Sequence, residues 1–296
     1  MCRRESGVNG CHQPNVGRGI CQMNGSKEIL KLRDVTKVFS RGTIDEVMAL
    51  DKVNLAVDAE DYVTIIGSNG AGKTTLLNIV AGVFPPEKGN VIINRDDVTG
   101  FPEHGRARYI GRVHQDPKIG TGGNLTIEEN LAFALLRGQT RGLRGALNKE
   151  RRDMFRSVLA PLGLGLEKRL KTLVGTLSSG QRQAIALTMA TMSKPALLLL
   201  DEHVANLDPR TAQVVFDLTE MVIRREKLTT LMITHNMECA LRYGNRLIMM
   251  HRGRIIVDID EERKKRLTIN DLVDAFEGAA GERLADESIL LSRCEA

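Results

Sequence analysis

Nine consecutive residues, Gly67, Ser68, Asn69, Gly70, Ala71, Gly72, Lys73, Thr74 and Thr75, bring three glycines, a lysine and two threonines into one short stretch. Glycines let the backbone turn tightly and bring its N–H groups against an anion. Lysine adds a cation on a flexible stem, and a hydroxyl oxygen suits a hard divalent metal. The spacing G-x-x-x-x-G-K-[ST] from Gly67 to Thr74 reads as a loop that cradles a polyphosphate. On that reading the amides of Ser68 through Lys73 wrap the phosphates, Lys73 serves the β and γ phosphates, and Thr74 ligates Mg²⁺. At ordinary glycine frequency such a string arises by accident in roughly one chain in a hundred of this length, so a merely flexible turn is the weaker reading. The loop alone leaves GTPases, kinases and ATPases open.

A second set of reactive groups closes the run Leu197–Glu202, LLLLDE. Four leucines make a buried strand that delivers Asp201 to its C-terminal tip, where ligands of open α/β sheets collect. Asp201 suits Mg²⁺, directly or through water. Glu202 points elsewhere and could polarise an attacking water. The bland alternative is a buried strand ending in a charged turn.

The elements around these groups are legible from periodicity. Ile29–Phe39 and Met48–Val57 alternate apolar and polar residues as half-buried strands do. Tyr62–Ile66 is an apolar run ending at the glycine loop, and Leu76–Val80 switches to helical spacing. Short strands follow at Val91–Ile93 and Ile110–Val113. Between about 116 and 190 the pattern turns helical, at Leu131–Leu136, Arg151–Leu159 and Gln181–Met192. Strands at Ala196–Leu200 and Thr229–Ile233 enclose a helix at Thr211–Arg224, and Leu247–Met250 with Ile255–Val257 form a hairpin around Arg252–Gly253. Thr268 opens a short amphipathic helix, with Asp271 favourable near its positive end. Apolar strands alternating with helices predict a mainly parallel sheet covered on both faces, with the helical block inserted into it.

Composition narrows the class. The 296 residues are 42% hydrophobic and 27% charged, those of an ordinary globular chain, with 3% aromatic residues and no Trp. No apolar run approaches the roughly 18–20 residues that cross a bilayer. Residues 1–22 have no apolar stretch to read as a signal peptide, so the expected location is the cytoplasm. Cys2, Cys11 and Cys21 invite a metal reading, but with no CxxC and only His12 nearby, free thiols are expected, and five cysteines do not make a disulfide framework. A net charge of +5 identifies no partner. Residues 137–156 carry Arg137, Arg141, Arg144, Lys149, Arg151, Arg152 and Arg156 against Glu150 and Asp153. Such a run is first a solvated face and second a contact for a partner or lipid headgroups.

The class is narrowed most by residues 177–183, LSSGQRQ, which resemble the signature motif of the ATP-binding-cassette family, usually LSGGQ. Gln115 in VHQDP looks like that family's Q-loop glutamine, Ala205–Asp208 (ANLD) like its D-loop, and His235 in ITHN like its switch histidine. Phe39 stands where the family has an aromatic that stacks on adenine. The resemblance runs over nearly the whole chain. It implies an α/β P-loop NTPase fold with a mainly parallel sheet, an antiparallel β subdomain and an inserted α-helical subdomain at about 116–190. The cassette would span 25–260, between a flexible extension, 1–24, and a C-terminal helical tail, 261–296. It further implies ATP and Mg²⁺ as cofactors and two copies facing head to tail, with two ATP molecules buried between them. Each nucleotide would be held by Gly67–Thr75 of one copy and by Ser178, Ser179, Gly180, Gln181 and Asp208 of the other. Glu202 would be the general base, His235 would contact the γ-phosphate, and Gln115 would sense Mg²⁺ and the attacking water. Two positions depart from the pattern: Ser179 replaces the usual middle glycine, and His203 stands where many members have Pro or Ala.

The wording of RLIMMHRGRI, LLLLDEHVANLDP and KLTTLMITHNM most resembles ATPase subunits of bacterial uptake systems encoded with a periplasmic binding protein and provisionally assigned to aromatic amino acids. The partners so implied are a second copy, separate membrane-spanning permease subunits and an extracytoplasmic binding protein, with no nucleic acid, at the cytoplasmic face of the inner membrane. Rival readings are a soluble cassette acting on ribosomes or DNA, a non-hydrolysing binding cassette, and export in place of import. One cassette in place of two, only about a hundred residues between phosphate loop and signature, and the presence of both Glu202 and His235 weigh against the first two.

Overall fold

A computed structural model describes residues 28–137 and 147–280. The N-terminal extension with Cys2, Cys11 and Cys21, part of the basic run, and the end of the tail with Cys294 lie outside the described residues. The chain opens with the long strands β1 (Glu28–Phe39) and β2 (Val47–Asp58), then β3 (Tyr62–Gly67), α1 (Lys73–Ala81), β4 (Lys88–Ile93), β5 (Asp96–Asp97), α2 (Glu103–Arg106) and β6 (Ile110–Val113). A helical stretch follows: α3 (Pro117–Gly120), α4 (Ile127–Leu135), α5 (Lys149–Leu159) and α6 (Ser179–Thr191). The chain continues through β7 (Leu197–Asp201), α7 (Pro209–Glu226), β8 (Thr230–Ile233), α8 (Met237–Arg242), β9 (Arg246–His251), β10 (Arg254–Ile259), α9 (Glu261–Lys264) and α10 (Ile269–Ala280).

Two sheets result. One is antiparallel, ordered β2-β1-β4-β5, and the other has six strands ordered β10-β9-β3-β8-β7-β6, parallel except for its β10 edge. The parallel strands read as continuous apolar runs because both faces are covered: all of Leu197–Leu200 and Leu231–Met232 are at 0% exposure. Each such leucine contributes about 1.5–3 kcal/mol of transfer free energy. One core lies between the antiparallel sheet, α1 and the inner face of the parallel sheet, through Leu50, Val53, Leu76 and Ile79. A second joins the other face to the helical stretch through Leu131, Phe155, Ile185 and Phe216. The helix α6 is buried over most of its circumference, Ala184 through Thr191, so it lacks the one-sided stripe of a surface helix.

A third core, which periodicity hints at only through the Thr268 helix, joins the tail to the sheet. Leu272 and Phe276 of α10 pack on Met237, Leu247 and Met249, with the Phe276 ring edge-on to His251. Lys264 is buried beneath it and donates to the carbonyls of Tyr243 and Gly244, closing the end of α8, and to Thr64 Oγ1. Burial pushes its ammonium down to about 8. Cys239, a buried residue of α8, is disulfide-bonded, while the cysteines expected as free thiols, Cys2, Cys11 and Cys21, lie outside the described residues. A cysteine count sets parity but says nothing about proximity in space.

Candidate functional site

Strand register brings the chemistry to one edge. Ile65 on β3 and Asp201 on β7 both pair with Ile233 on β8, while Val113 on β6 pairs with Leu200. Gly67, Asp201, Glu202, His235 and His114 therefore emerge from four adjacent strands at their common C-terminal edge. The loop from Gly67 is cradled by backbone. A Cβ at Gly67 would lie 2.1 Å from the Met250 carbonyl oxygen, and one at Gly72 would lie 2.4 Å from that of Ala49. Gly72, at φ 96°, is the N-cap of α1 and supplies no side-chain cap, and no acid lies in the helix's first turn. By contrast Asp116, Thr126, Asn148, Ser178, Asp208, Asn236 and Asp260 each cap a helix of this chain. The leading N–H groups of α1 and its positive dipole end are thus kept for an external anion. Lys73, 5% exposed, folds back to donate to the carbonyls of Gly67 (2.7 Å) and Ser68 (3.0 Å), which holds its ammonium over the loop. The turn between β9 and β10 buttresses the loop: Gly253 N–H donates to the Ala71 carbonyl and Asp51 N–H to that of Gly253.

The two acids next to the loop have different surroundings. Asp201 is 9% exposed, and burial raises its carboxyl above the usual range, opposed by the guanidinium of Arg112. Glu202 breaks from the strand in a left-handed conformation, φ 47°, which costs a non-glycine residue about 1–2 kcal/mol. The conformation is held by Glu202 N–H to the Ile233 carbonyl and Ala205 N–H to the Glu202 carbonyl. The Glu202 carboxylate meets His235, with Oε1 at 2.5 Å from Nε2. A carboxylate held by an imidazole at a strand edge can accept a proton from water. His203, beside Glu202 in sequence, points into the core: it is 2% exposed, bonded to Thr219 Oγ1 at 3.1 Å and edge-on to Phe216. Burial pushes it down to about 4, so the imidazole is neutral.

Ser178–Gln181 and Asp208 form a separate cluster. Ser178 and Gln181 build a full capping box on α6, each accepting at 3.3 Å from the other's backbone N–H. Ser178 and Ser179 are exposed. Gly180 has a packing role that its motif does not announce, since a Cβ there would lie 2.4 Å from Thr211 Cγ2 on α7. Asp208 caps α7 through Thr211 N–H, and the Thr211 bonds hold its carboxyl below the usual range. Ser178, Gly180 and Gln181 line a pocket of about 260 Å³ with Arg210, Thr211 and Val214, and no residue of the phosphate loop lines it. This cluster is therefore presented outward, apart from the phosphate loop of its own chain.

Gln115 is exposed in the turn from β6 to α3. The turn is tied to α6 by buried Gln183, which donates to the His114 carbonyl. Phe39 ends β1 opposite Val47, two residues along β2 from Ala49, whose carbonyl abuts Gly72. It packs edge-on to Phe84 at 5.5 Å, with Lys37 Nζ 5.3 Å from its centroid. Periodicity missed two residues here. Arg106 is 1% exposed and donates to the carbonyls of Ile79, Val80, Phe101 and Thr99, closing the far end of α1. Arg112 lies between Asn78 and Asp201. A charged residue inside the apolar run Ile110–Val113 was the signal for the second.

A glycine loop between a central parallel strand and a helix, an Asp–Glu pair on a neighbouring strand and a signature cluster on an inserted helical stretch define a P-loop cassette ATPase. The sequence pattern of the ABC transporter family matches residues 50–205. Over 228 residues the chain is 41% identical to a tyrosine transport ATP-binding protein of Clostridioides difficile (strain R20291), covering 76% of this chain and 90% of the relative. It is 34% identical to the lipoprotein-releasing system ATP-binding protein LolD of Rickettsia bellii (strain RML369-C), over 76% and 97% of the two chains. Among solved structures it resembles a dimeric ATP-binding cassette in a post-hydrolysis state bound to ADP and Pi, with TM-score 0.67 and 27% identity over 79% of this chain and 99% of that one. An ATP-binding cassette of an ABC transporter in its ADP conformation gives TM-score 0.68 at 27% identity, covering 85% and 99%. The chain belongs to the ABC transporter family, as an ATP-binding subunit that binds ATP with Mg²⁺ and hydrolyses it. Among the described residues no helix is long and apolar enough to cross a membrane.

Proposed function

We propose that this subunit powers the import of an aromatic amino acid by ATP-driven closure of a homodimer. The outward-facing signature cluster supports that reading, because Ser178–Gln181 of one copy can complete the phosphate site of another, and the cassette bound to ADP and Pi is itself dimeric. The cargo class is supported by the tyrosine transport relative. On this reading the subunit docks on separate membrane-spanning permease subunits at the cytoplasmic face of the inner membrane, and an extracytoplasmic binding protein delivers the cargo.

In the site, the amides of Ser68, Asn69, Gly70, Ala71, Gly72 and Lys73 with the start of α1 bind the phosphates, Lys73 neutralises them, and Phe39 stacks on the base. Thr74, Asp201 and Gln115 would hold Mg²⁺, which when bound would neutralise phosphate charge. Glu202 takes a proton from the water whose oxygen attacks the γ-phosphorus, the bond from that phosphorus to ADP breaks, and His235 orients Glu202 and contacts the γ-phosphate. The observation that carries the assignment is the 2.5 Å contact between Glu202 and His235 beside Asp201. Glu202→Gln keeps the shape and removes the proton acceptor. Turnover is expected to fall by about two to four orders of magnitude with ATP binding intact. Gel filtration in Mg·ATP should then show an accumulated dimer. Near-wild-type turnover in this variant would remove Glu202 from the role of base.

A further inference from the structure

Arg112 is a cation set behind the carboxylate that the proposed site uses for Mg²⁺. It lies in β6, paired with Leu199 of β7, so its strand is fixed in register next to the strand that ends at Asp201. Its Nη2 donates to Asp201 Oδ2 at 3.2 Å and to Asn78 Oδ1 at 2.8 Å. Both ion-pair side chains are only 12% exposed, and Asp201 is the one carboxylate within ion-pair reach of Arg112 among the described residues. Asn78 stands on α1 one helical turn after Thr74, so the two share a face of the helix. One guanidinium therefore ties together the helix that carries Thr74 and the strand that carries Asp201.

We infer that Arg112 is a positioning residue for the metal: it holds one oxygen of Asp201 and leaves the other presented, at a fixed spacing from Thr74. The alternative is a cation that occupies the metal's place and swings away when the metal arrives. The geometry disfavours it, because the shorter of the two bonds anchors the guanidinium to α1, and the hydrogen-bonded pair β6–β7 leaves its base no freedom to withdraw. Groups that orient a metal ligand in this way change metal affinity by about 10–100-fold when lost. This inference rests on the proposed role of Asp201, and the test separates the two.

The measurement is Mn²⁺ affinity of the full chain with saturating ATP, read from the electron paramagnetic resonance signal of free Mn²⁺. Alongside it, ATP affinity in EDTA is read by displacement of a fluorescent nucleotide. Arg112→Met should raise the Mn²⁺ Kd about tenfold and leave ATP affinity in EDTA within about twofold. Arg112→Lys, which can still reach one acceptor, should recover part of the loss. Asn78→Ala, which frees the guanidinium without touching Asp201, should raise the Kd by a smaller factor. An Mn²⁺ Kd in Arg112→Met that is unchanged or lower overturns the inference, the lower value because it makes the guanidinium a competitor of the metal. If Arg112→Met fails to fold, Asn78→Ala decides, and an unchanged Kd there overturns it equally. Asp201→Asn is the separating control. A normal Mn²⁺ Kd in that variant defeats the metal assignment itself, whereas loss there with no effect of Arg112→Met defeats only the brace.

Discussion

Two helices of this chain begin at the phosphate-loop and signature motifs, and they begin in opposite ways. At α1 the cap is a left-handed glycine, no side chain answers the leading N–H groups, and the lysine beneath is buried. At α6 a serine and a glutamine satisfy each other's backbone in a capping box on an exposed surface. The first arrangement is incomplete without an anion and is enclosed by Met250, Ala49 and Gly253 of the same chain. The second answers part of its own first turn, and offers a phosphate a hydroxyl proton, the first-turn amides the box does not use and a dipole end. On the proposed site, affinity for the nucleotide would thus belong to the buried half. The exposed half adds to it only when another surface brings the phosphate to it.

The largest expected effect tests the buried half. Gly67→Ala puts a methyl 2.1 Å from the Met250 carbonyl oxygen, a backbone atom that cannot yield cheaply, so ATP affinity should drop about a hundredfold, equivalent to about 3 kcal/mol. Gly70→Ala meets nothing within 4 Å and bears only the strain of its positive φ, so the loss there should be about fivefold. Isothermal calorimetry of both variants decides the point. Equal losses would mean that loop conformation, not the enclosing backbone, governs binding.

A smaller effect concerns pH. His203 follows Asp201 and Glu202 in the chain with its ring on Thr219 and Phe216, and its imidazole has a pKa of about 4 in the fold against 6.5 when free. Protonation therefore favours the unfolded chain: the stability it contributes is full above about pH 6.5 and is lost as pH falls through 6.5 toward 4. By linkage the wild type should lose on the order of 2 kcal/mol between pH 7 and pH 5 from this group. Urea unfolding of His203→Leu should lack that component. An identical pH slope in the two proteins would take His203 out of the buried half's stability.

The smallest effect belongs to the exposed half. Ser179 occupies the first position of α6 on the surface, where, in the proposed dimer, its side chain would stand in the approach of a phosphate from a second copy. Ser179→Gly should strengthen ATP-dependent dimerisation a few-fold, while glycine's backbone freedom costs the helix no more than about 1 kcal/mol. Sedimentation that showed weaker association in this variant would count against a steric role for the serine.

The parts of this molecule legible in its sequence are those whose chemistry is local. Gly67–Thr75 identifies itself because the residues that bend the loop are the same residues whose amides, lysine and hydroxyls suit a polyphosphate. Leu197–Leu200 identifies itself because a strand covered on both faces must be apolar throughout. The signature and switch positions were readable only through their resemblance to a family, and that resemblance said nothing of Gly180 against Thr211 or of Glu202 in a left-handed turn. These depend on which elements meet. Arg112 is 89 residues from Asp201 and 34 from Asn78 along the chain, and no periodicity links the three. Only the pairing of β6 with β7, beside α1, makes an arginine in an apolar strand the partner of an acid rather than an error in the pattern. A buried charge is tolerable where a counter-charge is brought to it, and contacts between distant segments are created by the tertiary fold.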